Sequence, residues 1–346
     1  MDFPKFVSFT VTHACNLRCK MCGQWSEEGT MRRKTGNRKA EIGLKGWKRL
    51  VDEIASRGIT SVLIRGGEPF LFPGIVELLE AIHSKGIFIS IDTNGTLLKN
   101  FADDLVRIGK IHVTISLDGP KSIHDDVRGV RGSFDLIQEG VGILNDIEKS
   151  TRRPISKSIC FTISPYSVTG LGDMPAVARS LFINTIVIVP YYYFPQIIGN
   201  AHEAEMKAQF NCNAFSWRGF HHEGSGIDFI AFRKEYKKYL ANLNGMVNYP
   251  YMKFTERDYR NWFGDSTSTV GSPVCTNVER LIDVQPGGDA NFCVDFPDFI
   301  IGNVERSGIG ELWNGERAKG FREYRRKKQL PICFRCGAKY MAESQA

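Results

Sequence analysis

Up to Val189, apolar residues recur in two alternating rhythms. Short β-branched runs at residues 6–12, 61–64, 87–92, 112–117, 158–163 and 185–189 predict strands. Between them, apolar residues three and four apart predict helices over 44–57, 74–84, 97–108, 134–147 and 175–182. In the first of these, Trp47, Leu50, Val51 and Ile54 share one face. Buried parallel strands carry such runs, and each needs a crossover helix. The pattern predicts an α/β fold, a partial (β/α)6 TIM-like barrel.

The polar segments fall at equivalent places in that pattern. Cys15-Asn-Leu-Arg-Cys19-Lys-Met-Cys22 follows the first strand and Arg65-Gly-Gly-Glu-Pro69 the second. Asp92-Thr-Asn-Gly95 ends the third and Ser116-Leu-Asp-Gly-Pro120 the fourth. In parallel α/β barrels chemistry sits where strands end and loops begin, so all four converge on one face.

After residue 190 the rhythm changes. Tyr191-Tyr-Tyr-Phe-Pro195, Phe215, Trp217, Phe220, Tyr249, Tyr251 and Trp262 crowd one region, read as core or docking aromatics. It holds one helix over 229–243 and a capping box at Thr255 and Asp258. Further on, Pro-Gly-Gly-Asp between 282 and 293 predicts a β-hairpin. Three units are expected: a barrel over 1–195, a connecting subdomain over 196–272, and a small β-hairpin/helix domain over 273–346.

Composition narrows the class. A 346-residue chain with 42% hydrophobic and 24% charged residues, and no long apolar run, predicts a globular protein without a membrane span. The N-terminus does not read as a signal peptide, and the nine cysteines cluster in metal-ligand spacings. Both point to a reducing cytoplasm. The net charge of +7 is concentrated in Arg32-Arg33-Lys34 with Arg38-Lys39 and in Arg325-Arg326-Lys327-Lys328. These read as solvated faces or as attraction for an anionic substrate or partner, and no nucleic-acid motif adjoins them.

The cysteines carry the chemistry. C-x3-C-x2-C at Cys15, Cys19 and Cys22 supplies three thiolates from one tight loop, enough for three irons of a four-iron cluster with the fourth left open. A structural zinc site would want a fourth Cys or His nearby. Cys275, Cys293, Cys333 and Cys336 could together form a closed four-thiolate site, for which structural zinc is the alternative. Cys160 reads as a buried apolar residue in a strand and Cys212 as an exposed thiol. His221, His222 and Glu223 read as an ordinary solvated loop, and no general base is assigned.

With Gly66-Gly-Glu-Pro69, Thr93-Asn-Gly95, Ser116-Leu-Asp-Gly-Pro120 and His124-Asp-Asp-Val-Arg-Gly129, the cysteine motif resembles the radical S-adenosylmethionine (radical SAM) superfamily. The resemblance implies a [4Fe–4S] cluster on Cys15, Cys19 and Cys22, with S-adenosylmethionine chelating its open iron. It implies that Gly66, Gly67 and Glu68 meet the methionyl amine and that Met21 lies near the adenine. Asn94, Ser116 and Asp118 would meet the ribose or methionyl end, and Arg128 the carboxylate. For Arg128 the alternative is a surface ion pair with Asp125 or Asp126. The C-terminal cysteines resemble SPASM and Twitch extensions. As Gly337-Ala-Lys-Tyr-Met follows without another cysteine, one auxiliary [4Fe–4S] cluster is expected, closer to Twitch.

The implied activity is reductive cleavage of S-adenosylmethionine to a 5′-deoxyadenosyl radical that abstracts a substrate hydrogen atom, with the auxiliary cluster accepting an electron. Dehydrogenation of a small molecule or oxidative modification of a peptide would result, with a flavodoxin or ferredoxin as electron donor. Redox-neutral group transfer, carbon–carbon bond formation or rearrangement is the second reading. A non-catalytic metal-binding protein is the third.

Overall fold

β-branched runs and polar turns are assembled into one ten-stranded sheet in the computed structural model, which describes residues 3–27, 29–33, 41–270 and 275–337. The strands are β1 (Phe6–Thr10), β2 (Ser61–Arg65), β3 (Phe88–Thr93), β4 (Ile111–Ser116), β5 (Ser156–Ile163), β6 (Thr185–Pro190), β7 (Val247–Pro250), β8 (Leu281–Val284), β9 (Asp289–Asn291) and β10 (Gly302–Asn303). β1 to β6 pair in chain order, every pair parallel. Helices connect them on the outside, and the Gly43–Ser56 helix buries Trp47, Leu50, Val51 and Ile54 as its periodicity predicts. Full burial of such aliphatic side chains stabilises by roughly 1.5–3 kcal/mol each.

The sheet extends beyond the six predicted strands at both edges. β7 adds in parallel to β6. β8 adds in parallel to β1, with Phe6 opposite Leu281 and Phe9 opposite Val284. The predicted Pro-Gly-Gly-Asp hairpin is β8–β9, its turn helped by Gly288 at φ +81°. It is therefore hydrogen-bonded into the barrel sheet.

Several helices lie outside the sequence reading. The Gln196–Phe210 helix buries Gly199, His202 and Met206, a face with too few large apolar residues to show a helical stripe. Lys121–Arg128, Ile309–Asn314 and Glu316–Lys327 are also helical. The helix expected over 97–108 splits into a 3-10 turn at Leu98–Asn100 and a helix at Ala102–Ile108. The capping box at Thr255 and Asp258 is present.

Alternation along the strands builds the site. In β4 and β6 buried and half-buried residues alternate. One set packs under the helices. The other faces the barrel interior and becomes polar toward the C-terminal ends, where Arg65, Asp92, Thr114, Ser116, Cys160 and Thr162 open into a common cavity.

Candidate active site and auxiliary cysteine site

The cysteine loop is held from two sides by backbone pairing. Gly67 N donates to Thr12 O (2.8 Å) and Glu68 N to Ala14 O (2.7 Å), tying it to the loop after β2. Arg18 N donates to Arg128 O (3.1 Å) and Lys20 N to Val127 O (2.9 Å), tying it to the end of the Lys121–Arg128 helix. The paired glycines make this contact possible. A Cβ at Gly66 would stand 2.6 Å from Thr12 O, and one at Gly67 would strike Ala14 O. Their smallness serves the approach of one loop to another.

Cys15, Cys19 and Cys22 line one wall of a cavity of about 330 Å³ at the barrel mouth. Leu17 N donates to Cys15 Sγ (3.5 Å), while Gln24 N and Trp25 N donate to Cys22 Sγ (3.4 Å each). Burial first, and then the thiols' mutual repulsion, raise all three pKa values against the lowering effect of Arg128, Arg18 and the backbone donors, that of Cys19 to about 11. Buried thiols crowded in this way need a bound cation to become thiolates. Among the described residues no group of three or more His, Cys, Asp or Glu converges tightly enough to hold a single metal ion. The three-thiol wall suits the wider spacing of a cluster.

Met21, Gly66, Gly67, Asn94, Ser116 and Arg128 line the same cavity. Asn94 Nδ2 donates to Asn16 Oδ1 (2.8 Å) in the cysteine loop, so its amide also positions that loop. Arg128 is buried. Its Nε donates to Asp118 Oδ2 and its Nη1 lies 3.6 Å from Cys19 Sγ. Its partner is Asp118, whereas Asp125 caps Gly132, Ser133 and Phe134 and Asp126 pairs with Lys20.

Glu68 and Asp118 stand behind the wall, both fully buried. Glu68 accepts from Thr93 Oγ1 (2.8 Å), Phe70 N (3.2 Å) and Asn94 N (2.7 Å). Its carboxyl thus spans the loops after β2 and β3. Burial outweighs these donors and pushes its pKa up to about 7. Neither carboxylate lines the cavity itself: Glu68 is held by these three donors, and Asp118 accepts from Arg128 through Oδ2.

The opposite wall comes from residues that the sequence reading did not select as ligand-facing: Arg65, Asp92, Thr114, Cys160, Thr162, Tyr191, Tyr192, Phe220 and Asp295. Arg65 Nη2 meets Asp295 Oδ1 at 3.2 Å, and Tyr192 OH donates to Asp295 Oδ2 at 2.7 Å. Burial opposes the Arg65 charge, but Asp295, Asp283 and Asp92 more than offset it and raise its pKa. Cys160 lies in β5 as expected, yet it faces the cavity. Burial and then Asp92 and Asp118 push its thiol up to about 12. The period-two polar positions in otherwise β-branched strands were the available signal.

The four C-terminal cysteines meet in a second cavity. Cys275, Cys293, Cys333 and Cys336 line it with apolar Met206, Phe296, Phe299, Phe321, Leu330 and Ile332. Burial and then the nearby Cys333, Cys275 and Cys336 raise Cys293 well above the ordinary thiol range. Arg335, inside the Cys333–Cys336 turn, is buried between the rings of Tyr193 and Trp262, 4.7 and 4.6 Å away. It donates to Trp262 O and Asp265 O, which locks this turn to the connecting segment. Tyr192 lines the first cavity and packs beside a cysteine of the second site: a Cβ on Gly337, next to Cys336, would come within 2.6 Å of its ring.

Comparison with known proteins agrees with this geometry. Residues 9–154 match the radical SAM superfamily and residues 275–337 match SPASM, an iron–sulfur cluster-binding domain. The chain carries a radical SAM domain followed by a SPASM domain. It is similar to Fe-coproporphyrin III synthase of Methanosarcina barkeri, 29% identical over 56% of this chain and 44% of that one. It therefore spans less than half of that relative. The subtilosin biosynthesis protein AlbA of Bacillus subtilis is 22% identical over 98% of this chain and 67% of its own. Pre-heme d1 synthase of Dinoroseobacter shibae is 23% identical over 96% and 78%. The fold is shared with Streptococcus suis SuiB bound to S-adenosylmethionine, at TM-score 0.65 and 17% identity over 98% of this chain and 72% of that one.

A radical SAM domain implies a [4Fe–4S] cluster with S-adenosylmethionine, and a SPASM domain implies auxiliary iron–sulfur clusters. Among the described residues no helix is long and apolar enough to cross a membrane. None of the remaining sequence candidates lines either cavity. Cys212 is buried, not exposed, and donates to Asp298 O at 3.2 Å. His221 pairs with Glu223 at the surface. Arg326, Lys327 and Lys328 pair with Glu279, Glu323 and Glu205, while Arg325 is buried. The other basic run lies largely outside the described residues.

Proposed function

We propose that this radical SAM enzyme oxidises a peptide substrate, with Cys15, Cys19 and Cys22 holding the cluster that works with S-adenosylmethionine and Cys275, Cys293, Cys333 and Cys336 holding one auxiliary cluster. The observation that carries the reading is the Arg65–Asp295–Tyr192 wall. It lines one cavity together with the three-thiol loop, and its Tyr192 packs against Gly337, next to Cys336 of the four-thiol site.

Cys15, Cys19 and Cys22 would hold a cluster that supplies the electron for reductive cleavage of S-adenosylmethionine, and Cys275, Cys293, Cys333 and Cys336 would hold one that supplies an electron acceptor, a role suited to a centre whose ligand positions are all filled. The protein's own residues set the geometry. Arg128, braced by Asp118, offers a fixed guanidinium to the methionyl carboxylate. Glu68 fixes Asn94 and the glycine loop beside the ribose and the methionyl amine. Tyr191, Tyr192 and Phe220 form an aromatic face that helps keep water from the reacting centre.

A peptide substrate is supported by AlbA, a bacteriocin biosynthesis protein that aligns with 98% of this chain, and by SuiB, solved with its precursor peptide SuiA. A redox-neutral reaction is the second reading, favoured by Cys160. This protonated thiol faces the cavity, where it can return a hydrogen atom to a substrate radical, the thiyl radical left on Cys160 then taking one electron from the flavodoxin- or ferredoxin-type donor and one proton from solvent. Anaerobically reconstituted protein with dithionite, S-adenosylmethionine and candidate peptides tests the proposal. Formation of 5′-deoxyadenosine with one two-electron-oxidised product per S-adenosylmethionine is expected. A product at the substrate's oxidation level supports the second reading, and no 5′-deoxyadenosine rejects both.

A further inference from the structure

The four-thiol cavity contains one polar side chain whose position none of its protein neighbours explains. His202, on the Gln196–Phe210 helix, is 3% exposed and lines the cavity with Cys275, Cys293, Cys333 and Cys336. The wall beside it is chiefly apolar, including Met206, one turn further along the same helix. Its Nδ1 is fully buried and has no hydrogen-bond partner in the protein. Leaving a buried ring nitrogen unpaired carries its full desolvation penalty, so such groups nearly always face something polar.

We propose that His202 donates an imidazole N–H hydrogen bond to a sulfur of the auxiliary cluster and thereby raises its reduction potential. A cluster sulfur is the polar partner that this cavity would contain once its thiols are loaded. Hydrogen bonds to cluster sulfurs stabilise the more negative, reduced state. A neutral imidazole has one N–H to give. The connecting segment thus supplies a positioning residue to a centre whose ligands all come from the C-terminal region. The role is tuning of electron acceptance. It rests on the reading of the four cysteines as ligands.

The test is an EPR-monitored redox titration of the full-length, anaerobically reconstituted chain. Resonances that change on adding S-adenosylmethionine are assigned to the N-terminal cluster and set aside. His202→Phe is expected to keep the iron and sulfide content while lowering the auxiliary midpoint. The expected change in the reduction equilibrium is about tenfold, or about 59 mV for a one-electron couple. His202→Gln, which keeps an N–H donor, should recover most of the shift. An unchanged midpoint and spectrum in His202→Phe overturns the proposal. So does loss of auxiliary iron from both variants, which would make the residue a ligand or a packing element. Absence of a second cluster in the unsubstituted chain instead fails the four-thiolate reading itself, and is recognised because no substitution is needed to see it.

Discussion

Arg65 and Asp295 form an ion pair of 3.2 Å between the last residue of β2 and the segment just past Cys293, with side chains 20% and 16% exposed. Tyr192 occupies the second Asp295 oxygen. Arg65→Met should leave Asp295 and Asp92 without their counter-charge. An expected loss of about 3 kcal/mol follows from breaking a largely buried pair on one side. The companion Arg65→Met, Asp295→Leu variant should recover part of it. Urea unfolding midpoints of the three proteins check both statements.

Replacing Cys15, Cys19 and Cys22 together by Ala should abolish 5′-deoxyadenosine formation and remove about four irons per chain. Replacing Cys333 and Cys336 should remove the auxiliary iron and leave cleavage uncoupled from product. Iron analysis beside product chromatography separates the two. Unchanged iron in the second variant would reject the auxiliary assignment.

Glu68 gives a pH dependence of known sign. Its pKa is about 7 in the folded chain against an ordinary 4.5, raised by burial. The folded state therefore favours the protonated carboxyl. That stabilisation is complete below about pH 4.5 and is lost as pH rises through about 7. Glu68→Gln cannot ionise, so the unsubstituted chain should lose stability relative to it across this window. Parallel stability curves at pH 5 and pH 8 test the direction.

The cysteine loop also touches the connecting segment. A Cβ on Gly219 would overlap the carbonyl of Gly23, and a Cβ on Gly23 would enter the Phe220 ring. Because Gly219 meets rigid backbone, Gly219→Ala should move the Ser216–Phe220 turn away from the loop. The expected cost is about 1–3 kcal/mol. S-adenosylmethionine affinity, measured calorimetrically on reconstituted protein, should fall with it. Gly224→Ala, where an added Cβ meets nothing within 4 Å, is the control.

The barrel was legible because its strands and helices carry opposite periodicities, and the cysteine loop because its spacing is rare. Glu68 was recognisable as special, but its role was not. Three donors from two loops meet it only after folding, and nothing local in Gly-Gly-Glu-Pro encodes Thr93 Oγ1 as a partner. Asp295 was hidden for a similar reason, since its partner Arg65 lies 230 residues away. β7 was missed because four residues ending in Pro250 carry little periodicity, and their place beside β6 is a tertiary choice. Nothing in the sequence around Arg335 marks it, although cation–π contacts to Tyr193 and Trp262 bury it.

The register of β8 on β1, Val7 against Ile282 and Ser8 against Asp283, makes the two cysteine sites parts of one continuous backbone lattice. No hinge lies between adjacent strands held about 4.8 Å apart. The separation of the two cysteine sites is thus set by hydrogen-bond register, and thermal motion can do little to widen it. Removing the C-terminal region would also strip β1 of its neighbour and leave a bare, sticky margin on the barrel. A truncated barrel is therefore expected to aggregate before its chemistry can be assayed.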